Sequence, residues 1–221
     1  MAAETSVEAL RVLLADDHDL FRTGLRNLLE EQGLQIVGEA SDGAQAVELV
    51  GELAPDVVVM DLNMPALSGV EATKQITSLS PLTRVIVLTI SDQDSDVMDA
   101  ILAGACGYLM KDASVQDVVT GINAASHGES LISPHIAGTV LQKLRATSVD
   151  SHGAAAIRAE LSDRELEVLK LIANGKDNGQ IAKELVISPK TVKNHISNIL
   201  MKLQIENRIQ AAVYAVRSGI V

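Results

Sequence analysis

Hydrophobic and polar positions follow two different rhythms in this chain. Up to about residue 126, short and nearly continuous apolar runs read as strands: Val12–Ala15, Gln35–Glu39, Val57–Met60, Val85–Thr89 and Gly107–Met110. Between them, Leu20–Glu31, Ala44–Leu53, Gly69–Leu79, Ser95–Leu102 and Ser114–Ala125 carry apolar residues at helical spacing. In the last of these, Val115, Val118, Val119 and Ile122 form one stripe. Strands that are apolar on both faces and alternate with helices over short connections predict a parallel sheet covered on both sides.

Beyond that unit, Ser133–Arg145 opens with Ser-Pro, a helix start, and places Ile136, Val140, Leu141 and Leu144 on one side. The stretch from Ala146 to Ala156 is small, polar and aperiodic, and reads as a linker. From Leu161 the pattern is purely helical. Ser162 and Glu165 form a capping box, Leu166, Leu169 and Ile172 make a core stripe, and Gly175 ends the helix. Asn178–Leu185 is a short second helix. Ser188 caps a third over Pro189–Leu203, and Arg208–Val216 is a fourth. Two helices joined by a tight turn, the second firmly capped, predict helix-turn-helix geometry. The expected organisation is a sheet domain over 10–126, a connector over 127–160 with a helix near 133–145, and a helical domain over 161–221.

Composition narrows the chemistry. The chain has no Trp, one Phe (Phe21) and two Tyr, so its cores must be aliphatic. A single cysteine, Cys106, excludes an internal disulfide and reads as a small buried filler. No basic stretch followed by an apolar one is seen at the start, and no apolar run is long enough for a bilayer, so a cytoplasmic protein without membrane contact is expected. The net charge of −11 argues against nucleic-acid binding until its distribution is considered. Residues 160–221 hold nine Lys and Arg against seven Asp and Glu, a balance of +2, and the preceding residues carry −13. The last third can approach DNA, whereas the acidic part cannot do so easily.

Three of the apolar runs end in charge: Asp16-Asp17 after Ala15, Asp61 after Met60, and Lys111 after Met110. Side chains at the carboxyl ends of parallel strands point into one crevice. Two or three carboxylates there suffice for Mg2+, which offsets repulsion between Asp61 and an incoming phosphate. Thr89, ending the fourth strand, can donate its hydroxyl to a phosphoryl oxygen, and the Lys111 ammonium can pair with the same group. Singly, each residue has a plainer reading: Asp16, Asp17 and Asp19 as helix caps, Asp61 as a turn residue before Pro65, Lys111 as a solvated lysine.

Residues 10–126 resemble a response-regulator receiver domain. The resemblance rests on Asp16-Asp17, Asp61-Leu62-Asn63-Met64-Pro65 with Gly69, Thr89, and Gly107-Tyr108-Leu109-Met110-Lys111. It implies a flavodoxin-like, doubly wound, five-stranded sheet in the order 2-1-3-4-5. It makes Asp61 the phospho-acceptor, with Mg2+ bound by Asp17, Asp61 and the Asn63 carbonyl, and through water by Asp16. Thr89 and Lys111 become the switch pair, and Tyr108 the aromatic whose rotamer reports activation. A partner histidine kinase is the implied phosphate donor, and the receiver would catalyse only its own phosphotransfer and dephosphorylation. Asp112 follows Lys111 where many receivers have a cis proline, which leaves that peptide's geometry open.

Laid on a helix, Pro189–Leu203 puts Val192, Ile196, Ile199, Leu200 and Leu203 on one side and Lys190, Lys193, Asn194 and Ser197 on the other. The plain reading is a solvated helix surface. The functional one is a major-groove helix: Lys193 can donate to guanine and Asn194 can pair with adenine. Lys190, Thr191 and Lys202 suit phosphate oxygens. Residues 161–217 resemble the LuxR-type helix-turn-helix of the NarL/FixJ family, through Leu161–Leu169, Ile181-Ala182, Leu185, Ile187-Ser188, Thr191–His195 and Lys202-Leu203. That resemblance implies base contacts from Lys193, Asn194 and Ser197. The last helix is apolar on almost every side, which suggests a dimer contact through Ile209, Val213 and Val216. An active homodimer on double-stranded DNA would then read an inverted repeat with half-sites about 10 bp apart.

Two rivals stand beside this reading. A Mg2+-dependent phosphatase with an aspartyl-phosphate intermediate favours a second acid two positions after the nucleophile, where this chain has Asn63. A DNA-binding protein that has lost phosphate control would not need Asp16, Asp17, Asp61, Thr89 and Lys111 together.

Overall fold

In the computed structural model, residues 9–91, 93–129, 131–132, 161–176, 178–205 and 207–220 are described. The helix expected near 133–145 and the linker after it lie outside these residues. Among those described, the sheet unit runs β1 (Arg11–Ala15), α1 (Asp19–Glu31), β2 (Gln35–Ala40), α2 (Gly43–Leu53), β3 (Val57–Met60), α3 (Gly69–Leu79), β4 (Arg84–Thr89), α4 (Asp94–Leu102), β5 (Gly107–Met110) and α5 (Val115–Ser126). Every pairing is parallel, as the alternation of runs and helices predicts, and the order β2-β1-β3-β4-β5 is the one the receiver resemblance implies.

The structure adds a sixth strand, β6 (Leu131–Ile132), which pairs with the outer edge of β5. It falls in the expected connector. Two residues are too few to show a period-2 pattern, and only the open edge of β5 selects them as a strand.

Successive strand residues point to opposite faces, and the core divides accordingly. Val12, Leu14, Val57, Val59, Ile86 and Leu88 join α1 and α5 on one side. Leu13, Ala15, Val58, Met60 and Val85 join α2 and α3 on the other. Both faces are dry, which is why the strands lack polar alternation. Cys106 is buried, its thiol donating to the Val85 carbonyl, and burial pushes its pKa up to about 11; it is an inert filler as expected.

The helical unit comprises α6 (Asp163–Ala173), α7 (Asn178–Leu185), α8 (Pro189–Leu203) and α9 (Arg208–Arg217). Ser162 and Glu165 make the predicted capping box, and the Ser188 hydroxyl accepts from the Thr191 amide at the start of α8. This unit rests on the first. One continuous apolar cluster contains Val97, Ile101, Ala105 and Tyr108 together with Val168, Leu169, Ile209 and Val213.

That junction encloses the residues expected at a dimer contact. Ile209, Val213 and Val216 are only 5%, 4% and 8% exposed, buried inside a single chain. Counting one neighbour for the last helix left its other faces open to a second copy. The fold supplies three neighbours, α6, α8 and the sheet unit's α4.

Gly69 shows how the backbone is held near the rim. A Cβ there would lie 1.9 Å from the Asp61 carbonyl oxygen and 2.7 Å from the Leu62 Cα. Both are backbone atoms and cannot swing aside. Gly69→Ala is therefore expected to displace the Asp61–Leu62 segment at a cost of about 1–3 kcal/mol, measurable as a lower Tm. An unchanged Tm would show that the loop has slack.

Candidate functional site

The ladder continues one residue past the strand ends, so backbone bonds fix the chemistry-bearing positions. The Asp16 amide donates to the Ala40 carbonyl at 3.0 Å, Asp61 to Ala15 at 2.8 Å and Lys111 to Thr89 at 2.9 Å. Asp16, Asp61 and Lys111 are thus delivered to one rim. Oxygen or nitrogen atoms of Asp16, Asp17, Asp61 and His18 all lie within 4.8 Å of one another.

Lys111 sits at the centre. Its Nζ is 2.7 Å from Asp16 Oδ2 and 2.7 Å from Asp61 Oδ2, with the Asp61 side chain 2% exposed. Burial works against the ammonium charge, but the bonds to Asp16 and Asp61 outweigh it, so the pKa is raised and Lys111 stays charged. The carboxylates are not consumed as helix caps. His18 is the N-cap of α1, without a side-chain capping bond, while Asp16 Oδ1 accepts from the His18 amide. Asp61 Oδ1 receives the Asn63 amide at 3.4 Å, and the Asn63 residue is exposed.

Thr89 is fully buried, its hydroxyl oxygen accepting from the Ser91 amide at 3.3 Å. The Tyr108 ring is also fully buried and its hydroxyl donates to the Ser91 carbonyl at 2.9 Å. Thr89 and Tyr108 therefore both engage the segment leading into α4. No cis peptide occurs among the described residues, so the Lys111–Asp112 bond is trans.

The oxygen-rich cluster fits a hard divalent cation, which takes carboxylate ligands and keeps waters. The sequence reading missed His18, whose Nδ1 is 2.7 Å from Asp17 Oδ1, although it directly follows the acidic pair.

On the helical unit, α8 buries Val192, Ile196 and Ile199 and leaves Lys190, Asn194 and Ser197 exposed. Thr191 shares a hydrogen bond with the Ser188 hydroxyl at 2.8 Å. Two of the proposed DNA contacts are engaged elsewhere. Lys193 Nζ lies 3.2 Å from Glu129 Oε1, at the end of the sheet unit. Lys202 Nζ lies 2.7 Å from Glu165 Oε2, whose side chain is 5% exposed. In this arrangement Lys202 is the counter-ion of Glu165. Sequence alone hides this because Glu165 already has a sufficient role in the capping box.

Burial alone would raise the Glu165 pKa, but the Lys202 ammonium and the Ser162 amide and hydroxyl more than reverse it, holding it at about 2 against an ordinary 4.5. The sign follows directly. A depressed carboxyl contributes stability above its unfolded pKa and loses it as pH falls through 4.5 towards 2. Glu165→Gln should flatten that acid limb in Tm measured against pH. Lys202→Met, which leaves the Glu165 carboxylate with only its Ser162 partners, should cost about 1–3 kcal/mol near neutral pH. An unchanged Tm for Lys202→Met would dismiss the pair.

The two units also touch through polar groups. Asn207 is 5% exposed at the N-cap of α9. Its Oδ1 accepts from the Ile209 and Gln210 amides, each at 2.9 Å. Its Nδ2 donates to the carbonyls of Gly104 at 3.0 Å and Ala105 at 3.1 Å, at the turn between α4 and β5. The Gln210 side-chain Nε2 donates to the Ile101 carbonyl at 3.2 Å.

Comparison with known proteins agrees with both units. Residues 12–123 match the response regulator receiver domain, and residues 159–215 match the bacterial regulatory proteins of the luxR family. The chain is 46% identical over 213 residues to the transcriptional regulatory protein LiaR of Bacillus subtilis (strain 168), covering 96% of this chain and 99% of LiaR. It is 36% identical to the nitrate/nitrite response regulator NarL of Escherichia coli (strain K12), covering 94% and 95%. A solved structure of two RcsB dimers bound to two parallel DNAs aligns with 95% of this chain and 98% of RcsB, at 27% identity and a TM-score of 0.55. A receiver fold followed by a LuxR-type helix-turn-helix places this chain in the NarL/FixJ family of two-component response regulators, which act as transcriptional regulators.

Proposed function

We propose that Asp61 accepts a phosphoryl group from a partner histidine kinase and that this modification controls DNA binding by α8. The observation that carries the reading is the rim itself: one charged, largely enclosed lysine bonded to Asp16 and Asp61, with Asp17 clustered beside those two carboxylates. Asp16, Asp17 and Asp61 would hold Mg2+, with the Asn63 carbonyl. Bound there, the cation supplies charge neutralisation for an anionic acceptor and an anionic donor. In the transfer, an Asp61 carboxylate oxygen forms a bond to phosphorus as the donor's leaving group departs with the old bonding pair. Lys111 then moves from a carboxylate to a phosphoryl oxygen, and the Thr89 hydroxyl turns from Ser91 to another.

The same reading explains the contacts between the units. Thr89 and Tyr108 both hold the segment after β4, and Tyr108 belongs to the apolar cluster shared with the helical unit. A shift of Thr89 towards phosphate therefore acts on the surface against which α9 packs. In the arrangement described, Lys193 is tied to Glu129 and the apolar face of α9 is enclosed. Separation of the units frees Lys193 for DNA, alongside Lys190, Thr191, Asn194 and Ser197. It also exposes Ile209, Val213 and Val216 to a second copy, giving an active homodimer on an inverted repeat in double-stranded DNA. Among the described residues no helix is long and apolar enough to cross a membrane, and we assign the regulator to the cytoplasm, where its DNA lies.

DNA-site selection by the full chain, with and without a small acyl phosphate and Mg2+, tests the whole scheme. Enrichment of a paired motif only under phosphorylating conditions is expected. Equal enrichment in both conditions would leave a constitutive DNA-binding protein.

A further inference from the structure

Phe21 is the only phenylalanine in the chain, and it stands beneath the lysine on which the rim depends. It lies in the first turn of α1, partly buried against the cluster that includes Leu88 and Val118. Lys111 Nζ is 4.7 Å from the centroid of its ring. An ammonium has three N–H bonds. Two have carboxylate acceptors at 2.7 Å, Asp16 and Asp61, and the ring face meets the same cation from the α1 side. The Lys111 side chain is only 10% exposed, so the contact is made with most water excluded, where an aromatic face attracts a cation most strongly.

We propose that Phe21 is a positioning residue for phosphotransfer, holding the Lys111 ammonium at the rim while its two carboxylate partners change state. This rests on Asp61 being the acceptor. During the reaction Asp61 exchanges a free carboxylate oxygen for an acyl phosphate, and Asp16 would help to hold the cation. Both ionic anchors of Lys111 are thereby altered. The ring takes no part in the chemistry and is the partner that stays the same. Without it, the long lysine stem is free to swing towards the groove between α1 and α5, a cavity of 290 Å³ bordered by Leu20, Gly24, Leu28 and Ala113. The ammonium would then have to be recaptured for each transfer.

The test compares the full chain with Phe21→Leu, which keeps apolar bulk but has no aromatic face, and with Phe21→Tyr, which restores the ring. In the metal-free, unmodified protein, carbon-labelled lysine is followed by NMR, with Lys111→Arg used for assignment. The Lys111 ε-protons should be shifted upfield by the ring in the unaltered chain and in Phe21→Tyr, and not in Phe21→Leu. Phosphorylation by acetyl phosphate with Mg2+ should lose about tenfold in maximal rate in Phe21→Leu, with the half-saturating donor concentration little changed, and recover in Phe21→Tyr. An unshifted lysine in the unaltered chain, or a full rate in Phe21→Leu, overturns the proposal. Equal losses in the Leu and Tyr variants would mark Phe21 as packing only. Absence of labelling in the unaltered protein would instead sink the acceptor reading, and the positioning role with it.

Discussion

Asp61→Asn is expected to take up no phosphoryl label from acetyl phosphate and Mg2+, and to bind DNA with an affinity that the donor no longer changes. The loss should be complete, because a carboxamide nitrogen and oxygen cannot replace the carboxylate nucleophile. Stability should move the other way, or not at all. Asp16, Asp17 and Asp61 crowd three carboxylates at the rim, and Lys111 keeps its 2.7 Å bond to Asp16 when Asp61 becomes neutral. Removing one like charge from such a cluster relieves repulsion, the usual pattern where a functional site is held at the expense of stability. A melt and a labelling assay on the same sample separate the two effects. Label retained in Asp61→Asn would transfer the acceptor role to Asp16 or Asp17. A large fall in Tm would mean that Asp61 is chiefly a structural ion-pair partner.

Asn207→Asp should release DNA binding from phosphorylation without damaging α9. Asn207 uses its two ends for different tasks: the carbonyl oxygen caps α9, and the amide nitrogen ties that cap to Gly104 and Ala105. A carboxylate keeps the first task, and does it well, because two backbone amides and the helix N-terminus favour a negative charge. It reverses the second by facing two carbonyl oxygens with an acceptor. Two hydrogen bonds are lost and repulsion is added, about 3 kcal/mol in all, or about a 100-fold shift towards separated units. The full chain should scatter X-rays as a larger particle and bind its operator without a donor. A variant as compact and as donor-dependent as the unaltered protein would show that this contact does not restrain the helical unit.

The alternation of strands and helices, the division into two units and the charges at the rim were legible along the chain because each is a local property, whereas the order of the strands was expected only from the receiver resemblance. Val12–Ala15 and Val57–Met60 are apolar at every position, which only a sheet buried on both faces explains, and the residue after each such run falls at the strand's carboxyl end. Asp16, Asp61 and Lys111 could be placed on one rim for that reason, and Ser162 with Glu165 read as a cap because their bonds span three positions. The tertiary structure decided everything that depends on which surfaces meet. β6 exists because β5 has an open edge, Lys202 is claimed by Glu165 across 37 positions, and Asn207 reaches Gly104 across 103. Ile209, Val213 and Val216 are equally apolar whether they face a second copy or their own receiver. Hydrophobicity states that a side chain must leave water but carries no direction, so the identity of the covering surface is set only when the two units come together.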